Sequence, residues 1–165
     1  MTSDRTFATW VEPIAAQHHE SRAKVIHEAR QMFPEQWHMP SPLRGWSYQD
    51  LLAHMASSDA SGLHLVLRAV IAREPVDASL LTEVDARNAR NVKERRGRTV
   101  KELIAELEAA GEETQELLSQ LSEDDEELRQ DDIPMSLGEG LAREPGGHDR
   151  EHLAQFRKAL DSVML

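Results

Sequence analysis

The stretch TVKELIAELEAAGEETQELLSQL, residues 99–121, decides how the chain folds. Val100, Leu103, Ile104, Leu107, Ala110, Leu117, Leu118 and Leu121 recur at the three- and four-residue steps that line one face of a helix. Thr99 stands ahead of the stripe with Glu102 three residues on, so hydroxyl and carboxylate each cap the other's backbone N–H. Gly111 sits inside the pattern at a cost of about 1 kcal/mol relative to alanine. The segment predicts one long amphipathic helix whose apolar face needs helical partners.

The flanking sequence supplies them. Gly97 separates this helix from a shorter, polar one over about Leu81–Arg96. Upstream, Ser47 and Asp50 form a weaker capping box, with Trp46 and Leu51 at the hydrophobic-staple positions. The stripe Leu51, Leu52, Met55, Leu63, Val66 and Val70 carries that second helix to about Arg73, with Pro75 just beyond. A first helix is predicted over about Phe7–Met32, with Pro13 starting or kinking its body. A last one is predicted over about His148–Val163, with Leu153, Phe156, Leu160 and Val163 inward. Between them lie a proline-rich link at 34–46 and an acidic connector, Ser122–Asp132, with seven carboxylates against Arg129. Gly138, Gly140, Pro145, Gly146 and Gly147 read as loop, with a short helix or extended piece at Met135–Leu137. The expected architecture is all-α: a four-helix bundle with a long crossover and one extra shorter helix, in a single domain over residues 1–165.

Composition narrows the function. The net charge is −11, from 19 basic and 30 acidic residues, which disfavours nucleic-acid binding and anionic membrane surfaces. There are no cysteines, hence no disulfide, thiolate metal ligand or protein thiol nucleophile. No apolar run approaches the ~18 residues of a membrane span, and the N-terminus lacks a signal-peptide pattern, so a cytoplasmic location is expected. No zinc-protease His-Glu-x-x-His occurs: His27-Glu28 is followed by Gln31, and His19-Glu20 by Ala23. A phosphate-binding glycine loop, a nucleophile elbow and paired Glu-x-x-His di-iron motifs are absent as well. The basic stretch Arg87–Lys101 reads as a solvated helix face.

Eight histidines remain to be explained. His148 and His152 stand at i and i+4, so their rings leave one helix face about a turn apart and can share one cation. A third ligand can come from a facing helix, and His54, beside Leu51 and Met55, is the candidate. Three neutral imidazoles leave coordination positions open, the plan of a catalytic site. Asp50, four residues before His54, could take the second ring N–H of His54 or simply cap the helix. On spacing alone, a chance surface pair and a half-buried structural histidine stay open as readings. His18 and His19 read as helix surface, and His27, His38 and His64 as structural.

Gly45-Trp46-Ser47-Tyr48-Gln49-Asp50-Leu51-Leu52-Ala53-His54-Met55 resembles the start of helix two in the DinB/YfiT-like superfamily, with its pattern G-W-S/T-x-x-D-L-x-x-H-L/M. Gly147-His148-Asp149-Arg150-Glu151-His152-Leu153-Ala154-Gln155 resembles that superfamily's final helix, H-x-x-x-H-x-x-Q, and Thr99–Leu121 resembles its long intervening helix. The resemblance spans nearly the whole chain. It implies a four-helix bundle holding one divalent metal ion on His54, His148 and His152, with zinc or nickel foremost and iron or manganese tolerated. The superfamily includes mycothiol-dependent maleylpyruvate isomerase and bacillithiol S-transferases. In the isomerase the first member of the last-helix pair is an acid; His148 places this chain nearer the three-histidine branch.

The function so implied is metal-dependent transfer or addition of a low-molecular-weight thiol, brought as cosubstrate, to an electrophilic small-molecule acceptor. A homodimer is expected. Asp59, on the stripe with Leu52, Met55 and Leu63, is the one candidate acid–base group, against an ordinary buried hydrogen-bond acceptor. The alternatives are a non-enzymatic metal-binding stress-response or dimerisation module, and a metal-dependent hydrolase.

Overall fold

The computed structural model describes residues 4–131, 133–143 and 145–162. Its helices are α1 (Glu12–Gln31), α2 (Tyr48–Ser58), α3 (His64–Ile71), α4 (Ser79–Thr82), α5 (Val84–Arg95), α6 (Val100–Ser119), α7 (Leu137–Arg143) and α8 (Pro145–Asp161). No β-strand occurs among the described residues; a single bridge pairs Pro40 with Ser47. No described helix is long and apolar enough to cross a membrane.

Four long units make the bundle: α1, the continuous α2–α3 rod, α6 and α8. Helix α1 packs on α6 and α8, and α2 packs on the same two. Helices α1 and α2 therefore sit across the bundle from each other, and the proline-rich link carries the chain over the top. Helix α5 is the extra shorter element, packed on α2. The all-α bundle expected from the periodicity is what the chain forms.

Local chemistry explains most of the boundaries. Both capping boxes are made: Ser47 Oγ accepts from Asp50 N at 3.1 Å, and Thr99 Oγ1 accepts from Glu102 N at 3.2 Å. Helix α1 begins at Glu12 instead of Phe7, with Pro13 in its first turn, so the proline starts the helix and no kink results. Thr9 is held outside it, its N–H and hydroxyl both donating to Glu123 Oε1 at 2.6 and 2.9 Å. The polar helix expected over 81–96 is broken at Glu83 into α4 and α5.

Of the two readings at Met135–Leu137 the short helix forms, and it continues as α7 through Gly138 and Gly140, correcting the loop expected there. Ser136 and Glu139 form a capping box for α7, with Glu139 N donating to Ser136 Oγ at 3.2 Å and Ser136 N to Glu139 Oε2 at 2.8 Å. Gly138 is there for space: a Cβ would lie 2.8 Å from Glu126 Cγ and 3.1 Å from Glu126 O. Pro145 opens α8, where its missing N–H is no loss. Asp132 and Val163 lie outside the described residues.

Between α2 and α3 the rod makes a π-helical turn, Asp59–Leu63, whose wider winding shifts the helix face that follows. The apolar core is also divided in two. One cluster includes Val25, Leu51, Met55, Leu103 and Phe156; the other includes Val11, Leu67, Val70, Leu118 and Leu141. Between them along the bundle lie buried polar residues: His18, Arg22, Asp59, His64, Thr114, Gln115 and Asp149.

Candidate metal centre

His54 leaves α2 toward α8, and His148 and His152 leave α8 toward α2. Their reactive nitrogens meet: His54 Nε2 is 3.0 Å from His148 Nε2, and His148 Nε2 is 3.1 Å from His152 Nε2. The rings stand nearly edge-on to one another, with centroids 5.1, 5.1 and 4.5 Å apart. One ligand nitrogen from each lies within 4.8 Å of the others.

The outer nitrogens decide what faces the centre. His152 Nδ1 lies 2.7 Å from Gln155 Oε1, a carbonyl oxygen that only accepts. We therefore assign the ring proton to Nδ1, which leaves a bare lone pair on Nε2. Ser58 Oγ, whose proton goes to His54 O at 2.6 Å, lies 3.4 Å from His54 Nδ1 and offers it a lone pair. His54 Nε2 is then a lone pair as well. Two lone pairs therefore face His148 Nε2, which has at most one proton to offer them. A cation satisfies all three. For metal–nitrogen bonds of about 2.0–2.1 Å, neighbouring ligand nitrogens lie roughly 2.9 Å apart at a right angle and 3.4 Å apart at a tetrahedral one. The observed 3.0 and 3.1 Å fall in that interval.

Burial keeps the His54 and His148 rings neutral, the form a metal requires. Burial, with the neighbouring His148 and His152 rings adding to it, pushes His54 down to about 3. Burial and His152 push His148 down to about 4, with Asp149 and Asp59 pulling the other way. His54 and His152 are buried, while His148 is half-buried, so the centre is reachable from its side. The Trp46 indole, 5.2 Å from the His54 ring and tilted by 43°, covers one face of that imidazole.

Asp50 does not reach the second nitrogen of His54. One carboxylate oxygen takes the Ser47 N–H at 3.2 Å and the other takes Arg96 Nε at 3.3 Å, so the cap and a surface arginine occupy it. Asp59 faces inward, into the polar layer between the two core clusters. Its Oδ2 accepts from Arg22 Nη2 at 2.9 Å and Thr114 Oγ1 at 3.1 Å. Burial raises its pKa, but the Arg22 charge and His18 more than offset this, holding the carboxyl well below the usual carboxylate range. A group held ionised in this way is an acceptor and does not cycle a proton near neutral pH.

His18 is corrected from surface to core. It is fully buried, with Nδ1 accepting from Gln115 Nε2 at 3.0 Å and Nε2 lying 3.8 Å from Asp59 Oδ2. Arg22 and Asp149 were missed altogether by the sequence reading. The available signal was register: 15, 18, 22, 25 and 29 step by three and four along α1, so His18 and Arg22 fall on its buried stripe. Asp149 likewise shares the inward stripe of His152, Leu153 and Phe156.

No curated protein and no solved structure matches the chain. The family model for the mycothiol maleylpyruvate isomerase N-terminal domain matches residues 14–144, taking in His54, Arg22 and Asp59 and ending before His148. With a helical bundle and a three-histidine cluster of the DinB/YfiT-like kind, the chain belongs to the mycothiol maleylpyruvate isomerase N-terminal domain family.

Proposed function

We propose that the protein is a divalent-metal-dependent enzyme that transfers or adds a low-molecular-weight thiol to an electrophilic small molecule. The observation that carries this reading is the mutual approach of three imidazole Nε2 atoms, 3.0 and 3.1 Å apart, on a half-open side of the bundle. His54, His148 and His152 hold the cation, with Gln155 fixing the ring of His152 and Ser58 that of His54. A divalent cation on three neutral imidazoles would lower the pKa of a bound thiol, supplying a nucleophile at neutral pH. The chain has no cysteine, so the thiol arrives from solution. The family's name couples it to mycothiol, which makes mycothiol the first cosubstrate to try.

Elemental analysis of untagged protein is expected to find near-stoichiometric zinc or nickel, and a His152→Ala variant to lose it. The holoprotein is expected to consume thiol in the presence of an electrophilic acceptor. Failure with every metal among zinc, nickel, iron and manganese, across several bacterial thiols, removes the transferase reading. Turnover with no thiol added replaces it with hydrolysis. We also propose a homodimer, for which Leu65, Leu81 and Val84, exposed on α3, α4 and α5, are the candidate apolar contacts. Light scattering of the purified protein tests it.

A further inference from the structure

Arg22 is a buried arginine at the middle of α1, 5% exposed, and the chemistry proposed above makes no use of it. Its guanidinium makes four directed bonds. Nε and Nη2 fork onto Asp149 Oδ2 and Oδ1 at 2.8 and 3.2 Å, Nη2 also donates to Asp59 Oδ2 at 2.9 Å, and Nη1 donates to Leu107 O at 3.1 Å. Its stem lies against α6 at Gly111, where an added Cβ would come within 3.2 Å of Arg22 Cγ.

The addresses of the two carboxylates are the informative part. Asp149 follows His148 directly and precedes His152 by three residues, on the same helix. Asp59 follows His54 by five residues, at the π turn where the α2–α3 rod changes its winding. One rigid, planar cation therefore ties down both segments that carry the three imidazoles, and hydrogen-bonds to none of the rings.

We propose that Arg22 is a positioning residue for the three-histidine centre, setting the rotation of α8 and the register of α2 so that the three ring nitrogens converge. This rests on the reading of the centre as a cation site. The fork is what matters: lysine keeps the charge but offers one rotatable point donor, which cannot hold two carboxylates at set angles. A clamp of this kind reaches the bound ion indirectly, through ring orientation.

The test compares the wild-type protein with Arg22→Lys and Asp149→Asn, the second keeping the arginine in case lysine prevents folding. Leu117→Ala, in the other core cluster, serves as a variant destabilised elsewhere. Two quantities are read: cobalt(II) affinity by absorbance in competition with a chelator, and nuclear Overhauser contacts between the His54 and His148 rings in metal-free protein. The expected result is about ten- to a hundred-fold weaker cobalt binding in both clamp variants. Their ring-to-ring contacts should also be lost, with far-UV circular dichroism still helical and Leu117→Ala unchanged in both readouts. Clamp variants that fold, keep the ring contacts and bind cobalt like the wild type overturn the proposal, leaving Arg22 a stabilising ion pair only. If wild-type protein shows the ring contacts but binds no cobalt, the cation reading fails; loss of those contacts in the clamp variants then still supports the positioning role.

Discussion

Two polar clusters lie side by side inside this bundle, His148 in one and Asp149 in the other, and they solve the problem of burial in opposite ways. The protein supplies the Arg22 guanidinium with its partners, though His18 Nε2 beside it stays without a hydrogen bond. The guanidinium meets two carboxylates and a carbonyl, and Asp59 takes a further bond from Thr114. At the metal centre two acceptors, His54 Nε2 and His152 Nε2, crowd one His148 nitrogen that can satisfy only one of them. Buried polar groups that answer one another build structure; those that share the same unmet need point to something brought from outside. The difference between the clusters separates a framework from a site, where burial and charge alone would not.

The contrast can be broken most severely at the arginine. Arg22→Met leaves Asp59 and Asp149 as unpaired buried charges, and a loss of about 3–5 kcal/mol is expected in urea unfolding. A loss below about 1 kcal/mol would mean the network is wetter than its burial indicates. The metal centre is expected to respond to its ligand instead. Zinc at a hundred times its Kd is expected to stabilise the wild-type protein by about 2.7 kcal/mol, seen as a rise in Tm, with no rise in His54→Ala. Removal of zinc by chelator should reverse it.

Acid probes the buried imidazoles next, those of the metal centre together with His64 of the polar layer, whose pKa burial also lowers. In metal-free protein the folded-state pKa values of His54 and His148, about 3 and about 4, lie below the ordinary histidine value of 6.5. Between those limits the unfolded chain binds more protons than the folded one, so stability falls as pH falls. The slope expected from titrated urea midpoints is about 1.4 kcal/mol per pH unit for each ring at its steepest. Asp59, held ionised in the folded state, adds to the loss only below its ordinary value of 3.8. Flat stability from pH 6.5 to 4.5 would contradict the neutral, buried rings. The finest test compares the outer ties. Gln155→Leu, which removes a 2.7 Å bond to His152 Nδ1, is expected to weaken zinc about ten-fold. Ser58→Ala, which removes a 3.4 Å contact to His54, should weaken it less, and the reverse order would show that the tie to His54 is the stronger one.

Much of this was legible in the chain as a string. The stripe from Val100 to Leu121 and the box at Thr99 announced α6, and Ser47 with Asp50 announced α2, because caps and helical periodicity act over a few residues. The pairing of His148 with His152 on one face was legible for the same reason. The extent of helix α7 was hidden by its glycines, although Ser136 and Glu139 carried the box that starts it. His18 was misread because adjacent His19 drew both to the surface, while the register of the α1 stripe pointed His18 and Arg22 inward. Of the two roles open to Asp50 the cap won: a carboxylate four residues before a histidine is equally well placed to cap the helix, and Ser47 and Arg96 claimed both of its oxygens.

The order of residues by itself determined the helices, their apolar faces, the absence of any protein thiol, and a pair of imidazoles one turn apart. These follow from contacts within a turn or two of chain, where geometry is set by the backbone. Only the tertiary structure decided that His54 meets that pair across 94 residues of sequence, that Asp59, at the start of the π turn, meets Arg22, and that one guanidinium joins both ligand-bearing segments. The relative rotation of helices α2 and α8 is a property of how their side chains pack, and no local pattern encodes it.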